Sequence, residues 1–251
     1  MSSWSQRRKS IYSSVVLLLL VGFVGVPAFL FFYKAPTCSD GMKNGNELGV
    51  DCGGSCQRLC ASAFFVPSVA WTRLQNVAPG LYNIATYIIN PNVRAGAAAV
   101  PYHVIVYDDK GIQITEYTGT VTLPPGRNSL AFKGAVNMDQ SVPAKALFEF
   151  TKAPDWKVQN DPLVAVTIGN KHYSEDATGA SLSVPINNTG INEIGTTDVY
   201  AVLYDKDGNA LGFSKTILDS IPGFGSTVAP FTWPVSFKHQ VISIEVLPVA
   251  E

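Results

Sequence analysis

The residues best suited to chemistry lie in one stretch of 23, CSDGMKNGNELGVDCGGSCQRLC, which runs from Cys38 to Cys60 and holds all four cysteines of the chain. Thirteen residues separate Cys38 from Cys52, and three separate each of the pairs Cys52/Cys56 and Cys56/Cys60. Four thiolates can hold zinc tetrahedrally, but no Cys-x-x-Cys knuckle is present, so zinc fits the spacing poorly. An even number of cysteines in a segment too short to own a core is what a stapled module needs, and disulfides are expected. Three pairings are open, and the spacing does not choose among them. The same stretch offers oxygen donors at Asp40, Asn44, Asn46, Glu47 and Asp51. With Asp40 as the first position of a twelve-residue loop, Asn44 is fifth, Gly45 sixth and Asp51 twelfth, a partial calcium-loop pattern in which Met42 replaces a ligand. Calcium binding and plain turn formation by Asp, Asn and Gly are the two readings of these residues.

Elsewhere the inventory is thin. The only histidines, His103, His172 and His239, stand in no metal or triad spacing, and no Gly-x-Ser-x-Gly, phosphate loop or His-Glu-x-x-His occurs. Asp108, Asp109, Asp205 and Asp207 fall in "YDDKG" and "YDKDG", where a turn role is the simpler reading. Convergence of His172, Glu175 and Asp176 is the arrangement that would favour an enzyme. Phe64, Phe65, Trp71, Trp156 and the segment 222–234 are read as caps on apolar cores in preference to a contact patch.

The elements that position these residues begin with a span. Ile11 to Phe32 is a run of 22 uncharged residues, long enough at helical rise to cross a bilayer of roughly 30 Å. Arg7, Arg8 and Lys9 precede it and predict a cytoplasmic N-terminus with the rest outside. A cleavable signal peptide ending near Val26-Pro27-Ala28 is the rival, but the apolar run continues past that site through Phe29–Phe32. Net charge is −1 over 251 residues, and with those three basic residues removed the remainder carries 15 basic against 19 acidic groups. An acidic body argues against a nucleic-acid partner.

Beyond Cys60 the chain reads as strands. "SLSVPIN" sets Leu182, Val184 and Ile186 against Ser181, Ser183 and Pro185, and "VISIEVL" alternates Ile242, Ile244 and Val246 with Ser243 and Glu245. The chain also repeats itself. "VIVYDDKGIQI" from Val104 and "AVLYDKDGNAL" from Ala201 stand 97 residues apart, and that offset pairs Asn90 with Asn187, Pro125 with Pro222 and Gly126 with Gly223. Near the ends the register slips: Ala146, Phe148 and Phe150 are aligned with Ile242, Ile244 and Val246 at an offset of 96.

Two resemblances follow. The ordered residues Cys38, Asp40-Gly41, Asn44, Glu47, Gly49, Asp51-Cys52-Gly53-Gly54 and Cys56 resemble a short stapled module of surface and secreted bacterial proteins, which implies an extracytoplasmic setting and no activity. "LYDKDG" at Leu203–Gly208, with "VYDDKG" one apolar swap away, resembles immunoglobulin-like or fibronectin-like bacterial surface domains carrying a Leu-Tyr-Asp signature, which implies a β-sandwich and carries over no functional residue.

The expected molecule is mainly β: a cytoplasmic tail (1–10), a transmembrane helix (11–33), a Cys-rich stalk (34–62), an immunoglobulin-like sandwich (63–152), a linker (153–160) and a second sandwich (161–251). The expected role is structural, adhesive or accessory in the cell envelope, non-enzymatic, anchored in the membrane and engaging an envelope protein or a glycan. An envelope enzyme with a site on the sandwich loops and a calcium-dependent binding module are the alternatives.

Overall fold

A computed structural model describes residues 4–33 and 35–250, in two compact units, residues 1–55 and 56–251. In the first, α1 (Trp4–Leu20), a π-helical turn (Val21–Gly25) and α2 (Val26–Phe32) form one helix. It begins seven residues before the apolar run and carries the basic cluster in its first turns. The π turn has a local cause. Pro27, in the first turn of α2, has no N–H to donate and its ring crowds the preceding turn, and the Val26 amide donates to Val21 O, five residues back. From Gln6 to Phe32 the helix has a mean hydropathy of 2.8 over its most apolar window and none of that window is buried. Length and composition allow it to cross a membrane.

The described residues of the second unit form fourteen strands: β1 (Ser68–Ala78), β2 (Leu81–Ile89), β3 (Ala95–Tyr107), β4 (Gln113–Leu123), β5 (Ser129–Asn137), β6 (Lys145–Phe150), β7 (Lys157–Val158), β8 (Val166–Ile168), β9 (His172–Asp176), β10 (Gly179–Asn188), β11 (Thr197–Tyr204), β12 (Ala210–Leu218), β13 (Ser226–Trp233) and β14 (Ser243–Ala250). They form four sheets, ordered β4-β3-β6, β1-β2-β5, β12-β11-β14 and β13-β10-β8, with β7 added to β3 and β9 to β10. All the pairings are antiparallel.

Three apolar layers hold the sheets together. Ile84 and Ile88 of β2 meet Tyr102, Val104 and Val106 of β3 in the first sandwich. Val199, Ala201 and Leu203 of β11 meet Leu182, Val184 and Ile186 of β10 in the second. The third layer lies between the sandwiches, where Ala85 and Tyr87 of β2 and Leu130 of β5 pack on Tyr200, Val202, Phe213 and Val249. The sheets thus stack four deep, and β2 and β11 are buried on both faces. That explains "IATYI" and "VYAVL", where alternation gives way to a continuous apolar run. Each fully buried side chain of this middle layer contributes roughly 1.5–3 kcal/mol, so the sandwiches are fused rather than strung on a flexible linker.

The connecting segments belong to the fold as well. Trp156 is 1% exposed, packs on Phe64 at 5.4 Å and joins the first core. Leu59 N donates to Trp156 O and Val158 N to Gln57 O, both at 2.8 Å. Capping is therefore the role of Phe64 and Trp156, and Trp233 is likewise buried, whereas Trp71 lies in the middle layer and Phe65 and Phe224 are exposed.

The strand registers correct three alignments. Val104 pairs with Phe148 and Ala201 with Val246, so Ala146 and Phe148 correspond to Ile244 and Val246 at an offset of 98, not 96; Ile242 is exposed and precedes β14. The buried Asn90 accepts from Asn92 N and donates to the carbonyls of Ala95 and Pro124. Asn188, not Asn187, makes the equivalent bonds, from Gly190 N and to Asn192 O and Ile221 O. At the bend, Gly126 N donates to Asn92 O (2.8 Å) with φ +63°, and Phe224 N, not Gly223 N, donates to Gly190 O (2.9 Å) with φ +53°. Only in the hairpins, where Tyr107 faces Gln113 and Tyr204 faces Ala210, is the spacing 97. Sequence matching favoured the hairpin offset because those turns are the most alike.

Candidate functional site

In the Cys-rich module all four cysteines are oxidised, paired Cys38–Cys56 and Cys52–Cys60. No thiolate remains for zinc, and the pairing selects one of the three connectivities left open by the spacing.

The carboxylates of the loop are turned inward upon its own backbone. Asp40 accepts from Thr37 N (3.1 Å), Met42 N (3.0 Å) and Asn44 Nδ2 (2.8 Å), and these donors, Asn44 first, hold its carboxyl below the usual carboxylate range. Asp51 accepts from Gly41 N through both oxygens, and Glu47 accepts from Asn44 N and Asp51 N. Asn46 contributes its backbone: a Cβ on Gly54 would meet Asn46 O at 1.6 Å, so the double glycine is a steric requirement. The oxygens of Asp40, Glu47 and Asp51 do not all gather within 4.8 Å of one another. These bonds give each carboxylate a part in closing the turn.

The hairpin aspartates do the same work twice. Asp108 Oδ1 accepts from Lys110 N and Ile112 N, and Asp205 Oδ1 from Asp207 N and Asn209 N, with Gly111 and Gly208 at φ +79° and +76°. In each the side chain stands in for a backbone acceptor and the glycine takes the left-handed corner. His103 Nε2 lies 3.5 Å from Glu116 on the outer face of the β4-β3-β6 sheet. On β9, Glu175 shares a face with Tyr173, whose hydroxyl it accepts at 2.7 Å, whereas His172 and Asp176 project from the opposite face. His172, Glu175 and Asp176 therefore do not converge.

Sequence reasoning missed the polar contacts between the sandwiches. Tyr87 OH donates to Glu245 Oε1 (2.7 Å) and accepts from Asn128 Nδ2 (2.8 Å), while Tyr204 OH donates to Glu245 Oε2 (2.9 Å). Burial, reinforced by the Glu245 carboxylate, pushes both phenols well above their ordinary value. Gln75 Oε1 reaches across to accept from Phe213 N (3.1 Å). Within the β12-β11-β14 sheet itself, Lys215 pairs with the buried Asp198, which also accepts from Tyr200 OH. These partners lie up to 158 residues apart in the chain, so no local pattern announces them. They have the character of an alignment device, with oppositely placed donors and acceptors fixing one sheet on the other.

Among the exposed apolar residues described, two groups lie at the ends of the sandwiches. One is a groove of about 480 Å³ on the first sandwich, lined by Leu59, Phe65, Val93, Arg94 and Val158 among others. The other is the loop tip of the second sandwich, where Phe224 and Ile191 are each 74% exposed.

No family model and no curated protein matches this chain. Among solved structures it is similar to a β-glucuronidase of glycoside hydrolase family 2, at 10% identity and a TM-score of 0.23, over 87% of this chain and 29% of that one. A putative β-galactosidase from Bacteroides fragilis matches at 11% identity and a TM-score of 0.21, over 69% and 33%. The chain spans about a third of the length of these enzymes, and likenesses of that size carry no argument about function.

Proposed function

We propose that this chain is a single-pass membrane protein, cytoplasmic at its N-terminus, that holds a fused pair of β-sandwiches outside the cytoplasm in a structural or accessory binding role. The observation that carries the reading is the helix from Gln6 to Phe32, uncharged from Ile11 onward, with basic residues at its start and no neighbour burying its most apolar window. Four cysteines that are all oxidised support an oxidising compartment. The two sandwiches are read as copies of one domain, a view supported by the matching Asn90 and Asn188 networks and by the paired aspartate turns.

Fusing a cytoplasmic fluorophore to the N-terminus and alkaline phosphatase to the C-terminus tests the topology. Fluorescence at one end, phosphatase activity at the other and retention of the full-length chain in carbonate-washed membranes are expected. A mature protein beginning after Ala28, released from the membrane, would overturn the anchor and leave a secreted double sandwich.

A further inference from the structure

The two copies differ at one position in a way that local folding does not require. The bend between β4 and β5 needs a left-handed residue, and the first copy uses Gly126 at φ +63°. The second places Phe224 there at φ +53°, a conformation that costs a residue with a Cβ roughly 1–2 kcal/mol. The ring recovers nothing by burial, since it is 74% exposed. Ile191, in the facing loop, is equally exposed, and the two loops are locked together by the Ile194–Ile221 bridge and the Phe224 N to Gly190 O bond. A strained, rigidly mounted aromatic held in water is the signature of a contact residue.

We infer that this tip docks in the groove of the first sandwich of a second copy of the chain. The groove presents apolar walls from Leu59, Phe65, Val93 and Val158, with Phe65 73% and Val93 79% exposed, and its volume accommodates one aromatic ring with an aliphatic neighbour. The charges are complementary. Exposed Glu193 and Asp219 flank the tip, and neither 187–195 nor 219–228 contains a basic residue. Exposed Arg94 lines the groove, and Asp155, the acid three residues before Val158, is engaged by Arg58 at 3.0 Å. Because knob and groove are different surfaces, the contact is heterologous, and each docked pair still offers one free knob and one free groove. The inference does not rest on the anchoring proposal: knob and groove both lie within residues 56–250, and the topology experiment reads a different segment.

The test uses the full chain in detergent, followed by sedimentation velocity over a wide concentration range. The wild type is expected to form a ladder of species growing with concentration. Phe224→Gly, which matches the first copy and relieves the backbone, should unfold at or above the wild-type temperature and weaken association more than tenfold, the loss of a central aromatic anchor. Val93→Glu should do the same from the groove side. Mixing the two variants is decisive: each keeps one intact half, so dimers form and the ladder stops there. A wild type that stays monomeric, or association unchanged in Phe224→Gly, overturns the inference. So does a monomeric wild type, reconstituted in phosphatidylcholine–phosphatidylglycerol vesicles, in which a lipid-borne photo-cross-linker labels Phe224, since the tip would then belong to a bilayer surface.

Discussion

Replacing Phe213 by alanine tests whether the two sandwiches are one cooperative body. The ring is 1% exposed and sits in the layer between the sandwiches, with its centroid 6.1 Å from Trp71 and 6.4 Å from Phe132 of the first sandwich. Removing a buried phenylalanine ring costs about 3–5 kcal/mol through lost transfer and the cavity left behind. For a cooperative unit of 150–250 residues each kcal/mol lowers the midpoint by about 2–4 °C, so a fall on the order of 10 °C is expected, in one transition. Hydrogen exchange supplies the sharper reading. If the stack unfolds as a whole, Phe213→Ala raises exchange in the β2 and β3 peptides as much as in β10 and β11. Leu182→Ala, in the core of the second sandwich and remote from the middle layer, should also deprotect β3. A wild type that melts in two steps, with Leu182→Ala moving only the second, would refute the reasoning and make the middle layer a mere contact between independent domains.

Three further outcomes are expected. The phenols of Tyr87 and Tyr204 titrate above their ordinary value of 10.0 when folded; groups with a raised folded pKa stabilise fully below the unfolded value and lose that contribution as pH rises, so stability should fall from about pH 10 upward, and the double variant Tyr87→Phe/Tyr204→Phe should flatten that limb in pH-dependent thermal melts. Peptide mapping of the unreduced protein should recover Cys38 linked to Cys56 and Cys52 linked to Cys60; a Cys38–Cys52 or Cys38–Cys60 peptide contradicts the fold of the module. Asn188→Ala removes three hydrogen bonds from a residue 2% exposed and should destabilise by about 1–3 kcal/mol in denaturant titration, with Asn90→Ala costing a similar amount.

What the sequence disclosed was local. Leu182, Val184 and Ile186 alternate because one face of β10 is buried and the other wet, and both Asp-to-Gly hairpins could be read because a carboxylate and a left-handed glycine complete the turn within five residues. The mainly β architecture and the apolar helix followed from such patterns. The stacking of the sandwiches did not, although a trace of it was present: β2 and β11 abandon alternation because each touches apolar layers on both sides. A run such as Val199–Leu203 predicts double burial without naming what covers the second face. The one-residue slips were hidden for a related reason, since composition is similar at neighbouring positions and only the cross-strand register separates Asn188 from Asn187. In the Cys-rich loop the residue types were apparent, but the direction of each carboxylate, inward onto amides, is set by the closed loop and not by spacing.

The stack also bears on where a partner can bind. Antiparallel sheets with open edges invite added strands, and several edges of this protein are closed by side chains. Gln75 accepts the Phe213 amide at the edge of β12, Lys171 Nζ donates to Ile244 O on β14, and Thr216 of β12 bonds Pro230 O of β13. Strand addition at those edges would first have to break a polar contact already made. The long edge strand β1 is interrupted by register shifts at Val69/Trp71 and Asn76/Ala78, which twist it away from a flat template. With those edges blunted and the two inner sheet faces spent on each other, the docking inferred above needs no open strand edge: it uses a loop end, where the exposed Phe224 takes a left-handed backbone that Gly126 adopts at no steric cost.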